Sequence, residues 1–202
     1  MNRINKPSLL IPALIAAAAL ALAGCSAAVP AAEPPLAGAD IGGDFALTAS
    51  DGRTVRWGDF AGKYRVVYFG YAFCPDICPT DMQRVAQGLK VLKASDPAKA
   101  AKIQPLFITI DPERDTQKVV GEFAAAFSPD IIGLTGTPEQ IAAAAKAFRV
   151  FYAKGEAVAG GGYLVDHSNI VYLFGPDGEP LATLPVNQGA DAVAAELDRW
   201  VS

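Results

Sequence analysis

Residues 68–79 have the sequence Tyr-Phe-Gly-Tyr-Ala-Phe-Cys-Pro-Asp-Ile-Cys-Pro, in which two thiols follow an apolar run. The run begins at Val66 and predicts a buried strand, and a helical pattern starts directly after the second thiol. Pro79 suits the first helical position, where its missing N–H would have no partner in any case. We therefore expect Cys78 at the helix start and Cys74 in the preceding loop. The positive end of the helix dipole favours thiolate over thiol there.

Composition restricts the classes of protein that fit. A chain of 202 residues with 51% hydrophobic content allows one domain with a substantial core, preceded by an unstructured segment. The formal net charge of −4 argues against a nucleic-acid surface, which would show clustered Lys and Arg. No nucleic-acid partner is expected.

The N-terminus has the pattern of an export signal. Arg3 and Lys6 precede an apolar run from Leu9 to Ala23, which is shorter than the roughly 20 residues of a spanning helix. Residues 1–24 are therefore predicted to be a signal peptide. The sequence Leu22-Ala23-Gly24-Cys25 resembles the lipobox of bacterial lipoproteins. The alternative is an ordinary cleavage site beside a chance cysteine.

If the lipobox interpretation holds, Cys25 carries the lipid and the protein is anchored at the cell membrane. Residues 25–43 are rich in Ala, Pro and Gly and are predicted to be a flexible tether. The folded domain is then residues 44–202, facing the periplasm or the cell exterior.

The cysteine count bears on the role of the thiol pair. The chain has three cysteines, so the anchor leaves only Cys74 and Cys78 to the domain, in an oxidising compartment. A bridge that closes so short a loop constrains the unfolded chain little, which makes a purely structural disulfide a poor explanation. The pair can instead form a redox-active disulfide, attack a disulfide, or bind a soft metal ion.

Strands and helices alternate along the chain and then end in a hairpin and a last helix. This order predicts an α/β, thioredoxin-like fold: a central mixed sheet flanked by helices, with an added N-terminal β-hairpin around Asp51-Gly52. The expected strands are 45–48, 54–57, 66–69, 104–110, 131–134, 168–174 and 180–184, and the expected helices are 80–93, 116–127, 137–148 and 190–201. Residues 155–162 are expected to be a glycine-rich loop. Reactive groups belong at the C-terminal strand ends of such a sheet, where Cys74 and Asp111 fall.

The single histidine, His167, precedes a predicted buried strand. In isolation it is an ordinary hydrogen-bonded residue. In thioredoxin-like oxidoreductases, however, a cis-proline occupies this place beside the cysteines, and this chain has no proline between Pro138 and Pro176. Two thiolates and one imidazole suit Cu(I) and Cu(II), and Zn(II) accepts the same donors. Ligand type alone leaves the metal open.

The carboxylates near the predicted site carry alternative roles. Asp111 ends a strand beside the thiols, where it can orient a metal ligand or steer a partner. The alternative is a loop-capping residue before Pro112 that pairs with Arg114. Asp115 is assigned to the start of the next helix.

Three motifs in this order support a resemblance to a known family: Cys74-Pro75-Asp76-Ile77-Cys78-Pro79, Asp111-Pro112-Glu113-Arg114-Asp115-Thr116 and Val165-Asp166-His167-Ser168. Together they resemble the Sco/SenC copper proteins, which help to assemble cytochrome c oxidase. The resemblance implies a membrane tether and copper bound by Cys74, Cys78 and His167. It also implies a task, delivery of copper to the dinuclear copper site of oxidase subunit II or reduction of its cysteines. Another periplasmic copper chaperone or a thioredoxin-like reductant is a further expected partner.

The main prediction is therefore a copper chaperone rather than an enzyme. The competing hypothesis is a thiol-disulfide reductase that acts on exported cysteines. A peroxidase ranks third, because no Thr precedes Cys74 in the peroxidase pattern and no arginine is obviously placed to assist.

Overall fold

A computed structural model of the chain describes residues 32–157 and 161–202. The predicted signal peptide, Cys25 and the first part of the predicted tether lie outside the described residues. The compact unit extends from Pro34 to Ser202. No helix in the described part of the chain combines the length and the apolar character needed to cross a membrane.

A seven-stranded mixed sheet forms the centre of the fold, in the order β2-β1-β5-β4-β3-β8-β9. Strands β3, β4 and β5 are parallel, whereas β1, β2, β8 and β9 join antiparallel. The predicted N-terminal hairpin is present as β1 and β2, and β1 extends the sheet by pairing with β5. The strands are β1 Ala46–Ala49, β2 Thr54–Arg56, β3 Tyr64–Gly70, β4 Ile103–Thr109, β5 Ile132–Thr135, β6 Tyr152–Ala157, β7 Tyr163–His167, β8 Val171–Phe174 and β9 Pro180–Thr183.

Five α-helices accompany the sheet in the described residues: α1 Ile77–Ser95, α2 Pro97–Ala100, α3 Gln117–Ala125, α4 Pro138–Ala147 and α5 Ala190–Trp200. Two short 3₁₀ helices cover Trp57–Phe60 and Val186–Gln188. Thr137 accepts a hydrogen bond from the backbone N–H of Gln140 and so caps α4, with Pro138 in its first turn as predicted. Helix α1 begins at Ile77, two residues before the Pro79 at which the sequence predicts its start.

Alternation along β3 divides the core between the two faces of the sheet. Tyr68 points to the face where Phe107 packs on Phe123 of α3 with ring centroids 4.6 Å apart. Phe69 points to the other face, where Phe148 follows α4. Phe45, Trp57 and Phe174 complete that second aromatic cluster. Because β3 is buried throughout, its C-terminal end is a rigid base for the loop that carries the thiols.

The prediction of a glycine-rich loop at residues 155–162 is wrong for the first part of that range. Gly155 and the two residues after it belong to β6, which pairs with β7 in a separate two-stranded antiparallel sheet. Tyr152 lies opposite His167 in this pairing. The sequence does not show this strand, because three of its six residues are partly buried and three are exposed, so it lacks clear apolar alternation.

The domain also begins earlier than the predicted boundary at residue 44. The backbone N–H of Leu36 donates to Leu181, and that of Gly42 donates to Ala147. Arg149 forms an ion pair with Asp40. Residues 34–43, assigned to the tether from their composition, therefore contact the folded domain. Their Ala, Pro and Gly content concealed these contacts, because backbone groups make most of them.

Candidate metal centre

The two thiols lie where β3 leads into α1. Cys78 is in the first turn of α1 and is fully buried, and Cys74 in the preceding loop is partly buried. The backbone N–H of Cys78 points at Cys74 Sγ, 3.4 Å away. Both cysteines are free thiols in this structure.

The two thiols at the helix start differ in pKa. Burial opposes ionisation of Cys74, but the backbone N–H groups of Cys78, Asp76 and Ile77 outweigh it and lower the pKa of that thiol. Burial raises the pKa of Cys78 well above its usual range. The more exposed sulfur is therefore the more acidic one.

His167 completes a group of three donors. Its Nε2 lies 3.4 Å from Cys78 Sγ, and the ligand atoms of Cys74, Cys78 and His167 all lie within 4.8 Å of one another. His167 Nδ1 lies 3.0 Å from the backbone oxygen of Ser168. A carbonyl oxygen only accepts, so Nδ1 carries a proton, and in the neutral ring the Nε2 lone pair then faces Cys78 Sγ. The structure thus brings together the three residues that the sequence predicts to be metal ligands.

Two buried tyrosines enclose the imidazole. The rings of Tyr68 and Tyr71 meet the His167 ring edge to face, with centroids 6.2 and 6.0 Å away. The backbone N–H of Val165 donates to the Tyr71 hydroxyl and joins β7 to the thiol loop. Phe73, which directly precedes Cys74, is 53% exposed. Access to the centre is therefore from the side of Cys74.

Asp111 connects the motif that follows β4 to the hairpin that carries His167. Its Oδ2 accepts from Arg114 Nε at 2.5 Å, and its Oδ1 accepts from the Tyr163 hydroxyl at 2.6 Å. Arg114 also donates to the backbone oxygen of Tyr163 at 2.8 Å. Within the described chain, Asp111 has no hydrogen bond to Cys74, Cys78 or His167. Its predicted pairing with Arg114 is confirmed, and its other carboxylate oxygen contacts Tyr163 in the hairpin that carries His167.

One residue of this motif differs from the sequence prediction. Asp115 does not belong to the start of α3, because Thr116 caps that helix. Asp115 is instead fully buried and accepts from the Ala72 backbone N–H and the Thr109 hydroxyl, which ties the thiol loop to β4. The same motif places an arginine near the thiol loop. The Arg114 guanidinium lies 5.2 Å from the Phe73 ring centroid, although Asp111 and Tyr163 already engage it.

The donor set fits a soft metal ion. Two sulfurs and an imidazole nitrogen lie within 4.8 Å of one another, and sulfur ligands favour copper over hard cations such as Mg²⁺ or Ca²⁺. The described residues offer no fourth Cys, His, Asp or Glu in the group, which is unlike a closed structural zinc site with four protein ligands.

Curated relatives match most of this chain. The human mitochondrial SCO1 homolog is 38% identical over 157 residues, which are 78% of this chain and 52% of that protein. The Arabidopsis thaliana mitochondrial SCO1 homolog 1 is 42% identical over 146 residues, which are 72% of this chain and 42% of that protein. This chain spans about half the length of the curated relatives it matches.

Solved structures share the fold. Bradyrhizobium japonicum ScoI with copper bound has a TM-score of 0.71 and 33% identity, covering 79% of this chain and 99% of that one. Yeast Sco1 with copper bound has a TM-score of 0.72 and 35% identity, covering 80% of this chain and 88% of that one. The SCO1/SenC family profile matches residues 33–202. The chain, with its thioredoxin-like fold and its Cys-Cys-His group, therefore belongs to the SCO1/SenC family.

Proposed function

We propose that this protein is a membrane-anchored copper chaperone that binds one copper ion through Cys74, Cys78 and His167. The observation that carries the proposal is the approach of His167 Nε2 to 3.4 Å from Cys78 Sγ, with the ring tautomer that a metal ligand needs. The copper-bound relatives of the same fold support copper as the metal. The anchor is the predicted lipid on Cys25.

The task that follows from family membership is maturation of the dinuclear copper site of cytochrome c oxidase subunit II. A partly exposed Cys74 beside a buried Cys78 suits transfer, because an incoming thiolate can displace the outer ligand first. The proposed partners are therefore subunit II, a second copper chaperone or a thioredoxin-like reductant, and the membrane.

Copper titration of the reduced, purified chain tests the proposal. We expect one Cu(I) or one Cu(II) per chain, with a sulfur-to-copper absorption band for Cu(II). His167→Ala should weaken Cu(II) binding more than Cu(I) binding, because two thiolates alone still suit the softer ion. Cys74→Ser should weaken both. Unchanged affinities in both variants would refute the site.

A thiol-disulfide reductase is the second candidate, favoured by the lowered pKa and partial exposure of Cys74. The same thiols cannot bind metal once they are joined in a disulfide. Turnover on a model disulfide distinguishes the two functions. Rapid turnover that survives His167→Ala, in a chain that takes up no copper, would establish the reductase instead.

A further inference from the structure

A buried carboxylate lies behind the metal centre and takes no part in the proposed ligand set. Asp81 is one turn of α1 beyond Cys78 and is only 2% exposed. Its Oδ2 accepts a hydrogen bond from the Tyr68 hydroxyl at 3.3 Å. Asp81 forms no ion pair within the described residues. A buried acid with one hydrogen-bond partner is costly, so a function for its charge is worth seeking.

Tyr68 connects this carboxylate to the metal ligands. Its ring packs against the His167 ring, and its hydroxyl also lies 3.5 Å from Asn169 Oδ1, just beyond that histidine. Tyr68 also adjoins Cys78: a Cβ built on Gly70 would lie 2.8 Å from Tyr68 Cε1 and 3.1 Å from Cys78 Sγ. Tyr68 thus lies between Asp81 on one side and the proposed ligands His167 and Cys78 on the other.

The charges near Asp81 come from few groups. Burial raises the pKa of its carboxyl, while the Tyr68 hydroxyl, Arg84 and His167 act in the opposite direction. His167 is neutral when it binds a metal, which leaves Arg84 as the fixed cation near the carboxylate.

The charge of the loaded centre depends on the oxidation state of the metal. Two thiolates and a neutral imidazole cancel the charge of Cu(II) but leave one net negative charge on Cu(I). A fixed carboxylate in a water-poor interior repels that negative centre, whereas its electrostatic interaction with the neutral centre is small. The carboxylate therefore favours Cu(II) relative to Cu(I).

We propose that Asp81 sets the oxidation-state preference of the copper site through its buried negative charge. This inference rests on the proposed function. It assigns a specificity role to a residue that binds no metal and that contacts the ligand set through Tyr68.

Asp81→Asn tests the inference, since it removes the charge and keeps the shape. Affinities for Cu(I), by competition with a chromophoric chelator, and for Cu(II), by absorption titration, are measured at pH 8 on the full chain. We expect the ratio of Cu(I) affinity to Cu(II) affinity to rise about tenfold. Asp81→Ser, a second neutral variant, should give the same shift. Asp81→Glu, which keeps the charge, should retain the wild-type ratio.

Asp166→Asn is the matched control, because Asp166 adjoins His167 in β7 but is exposed to solvent, which screens its charge. It should change the ratio by less than about twofold. An unchanged ratio in Asp81→Asn, whether both affinities are retained or fall in parallel, would overturn the inference but not the proposed function. A wild-type chain that binds no copper would instead refute the proposed function.

Discussion

Cys78 Sγ and His167 Nε2 lie 3.4 Å apart although 89 residues separate them in the chain. Cys78 is held by the start of α1, and His167 lies at the end of β7 in the small second sheet. The site therefore depends on how the β6–β7 hairpin docks against the main domain.

The first prediction concerns that docking. Tyr163→Phe removes the hydroxyl that donates to Asp111 at 2.6 Å and leaves a buried carboxylate oxygen without its partner. We expect the free energy of unfolding to fall by about 1–3 kcal/mol. We also expect faster amide hydrogen exchange in β6 and β7 and weaker Cu(II) binding.

Tyr152→Phe is the control for this prediction. Tyr152 lies on the same hairpin, and its hydroxyl makes no hydrogen bond with the described residues. Exchange rates should therefore stay at wild-type values in this variant. Equal effects of the two substitutions would show that the bond between Tyr163 and Asp111 does not hold the hairpin.

Thiol reactivity should differ between the two cysteines. Because the pKa of Cys74 is lowered, its thiolate forms at a lower pH than that of an ordinary cysteine. The raised pKa of Cys78 keeps that residue in the thiol form. In the reduced, metal-free chain at pH 7, iodoacetamide should modify Cys74 faster than Cys78 by about tenfold or more. Peptide mass spectrometry after timed quenching resolves each cysteine. Faster modification of Cys78 would contradict the assignment.

Asp115 should affect stability in a pH-dependent way. Burial raises the pKa of its carboxyl in the folded protein, so its stabilising contribution is full below the unfolded-state pKa and decreases as the pH rises through the folded-state pKa. Asp115→Asn does not titrate. Raising the pH from about 3 to 7 should therefore shift the stability difference in favour of the Asn variant. Denaturant unfolding at several pH values measures this.

Asp115→Ala separates hydrogen bonding from charge. The Ala72 N–H and the Thr109 hydroxyl both lose their acceptor in this variant. We expect a loss of about 1–3 kcal/mol in the free energy of unfolding at every pH. If the wild-type protein instead becomes more stable relative to the Asn variant as the pH rises, the sign of the pKa shift at Asp115 is wrong.

Gly88 allows α1 and α5 to approach closely. A Cβ at this position would lie 2.5 Å from Val193 Cγ1 and 3.0 Å from the backbone oxygen of Ala190. Gly88→Ala should therefore destabilise the protein by about 1–3 kcal/mol, despite the roughly 1 kcal/mol that alanine gains over glycine in a helix.

Thermal and denaturant unfolding measure this effect, and Val193→Ala in the same chain should recover part of the loss. Gly58→Ala is the control, since nothing lies within 4 Å of its Cβ position. Additive effects of Gly88→Ala and Val193→Ala would show that the two positions do not compete for space.

The sequence by itself determined much of the fold and the identity of the three candidate ligands. Apolar runs such as Val66–Phe69 predict buried strands, because a strand covered on both faces must be apolar throughout. The Cys74–Cys78 spacing and the helix pattern after it place both thiols at a helix start. With a single histidine in the chain, the choice of His167 followed from its order relative to the strands.

Only the tertiary structure decided how that histidine reaches the thiols and what surrounds it. The β6 strand lies in a separate two-stranded sheet where none of its residues is fully buried, so it shows no apolar alternation. Hydrogen bonds that join Tyr163 to Arg114 and Asp111 connect this hairpin to the main domain. The buried roles of Asp115 and Asp81 were likewise not visible in the sequence. A carboxylate is expected at the surface unless it is paired, and only long-range packing shows which ones the fold encloses.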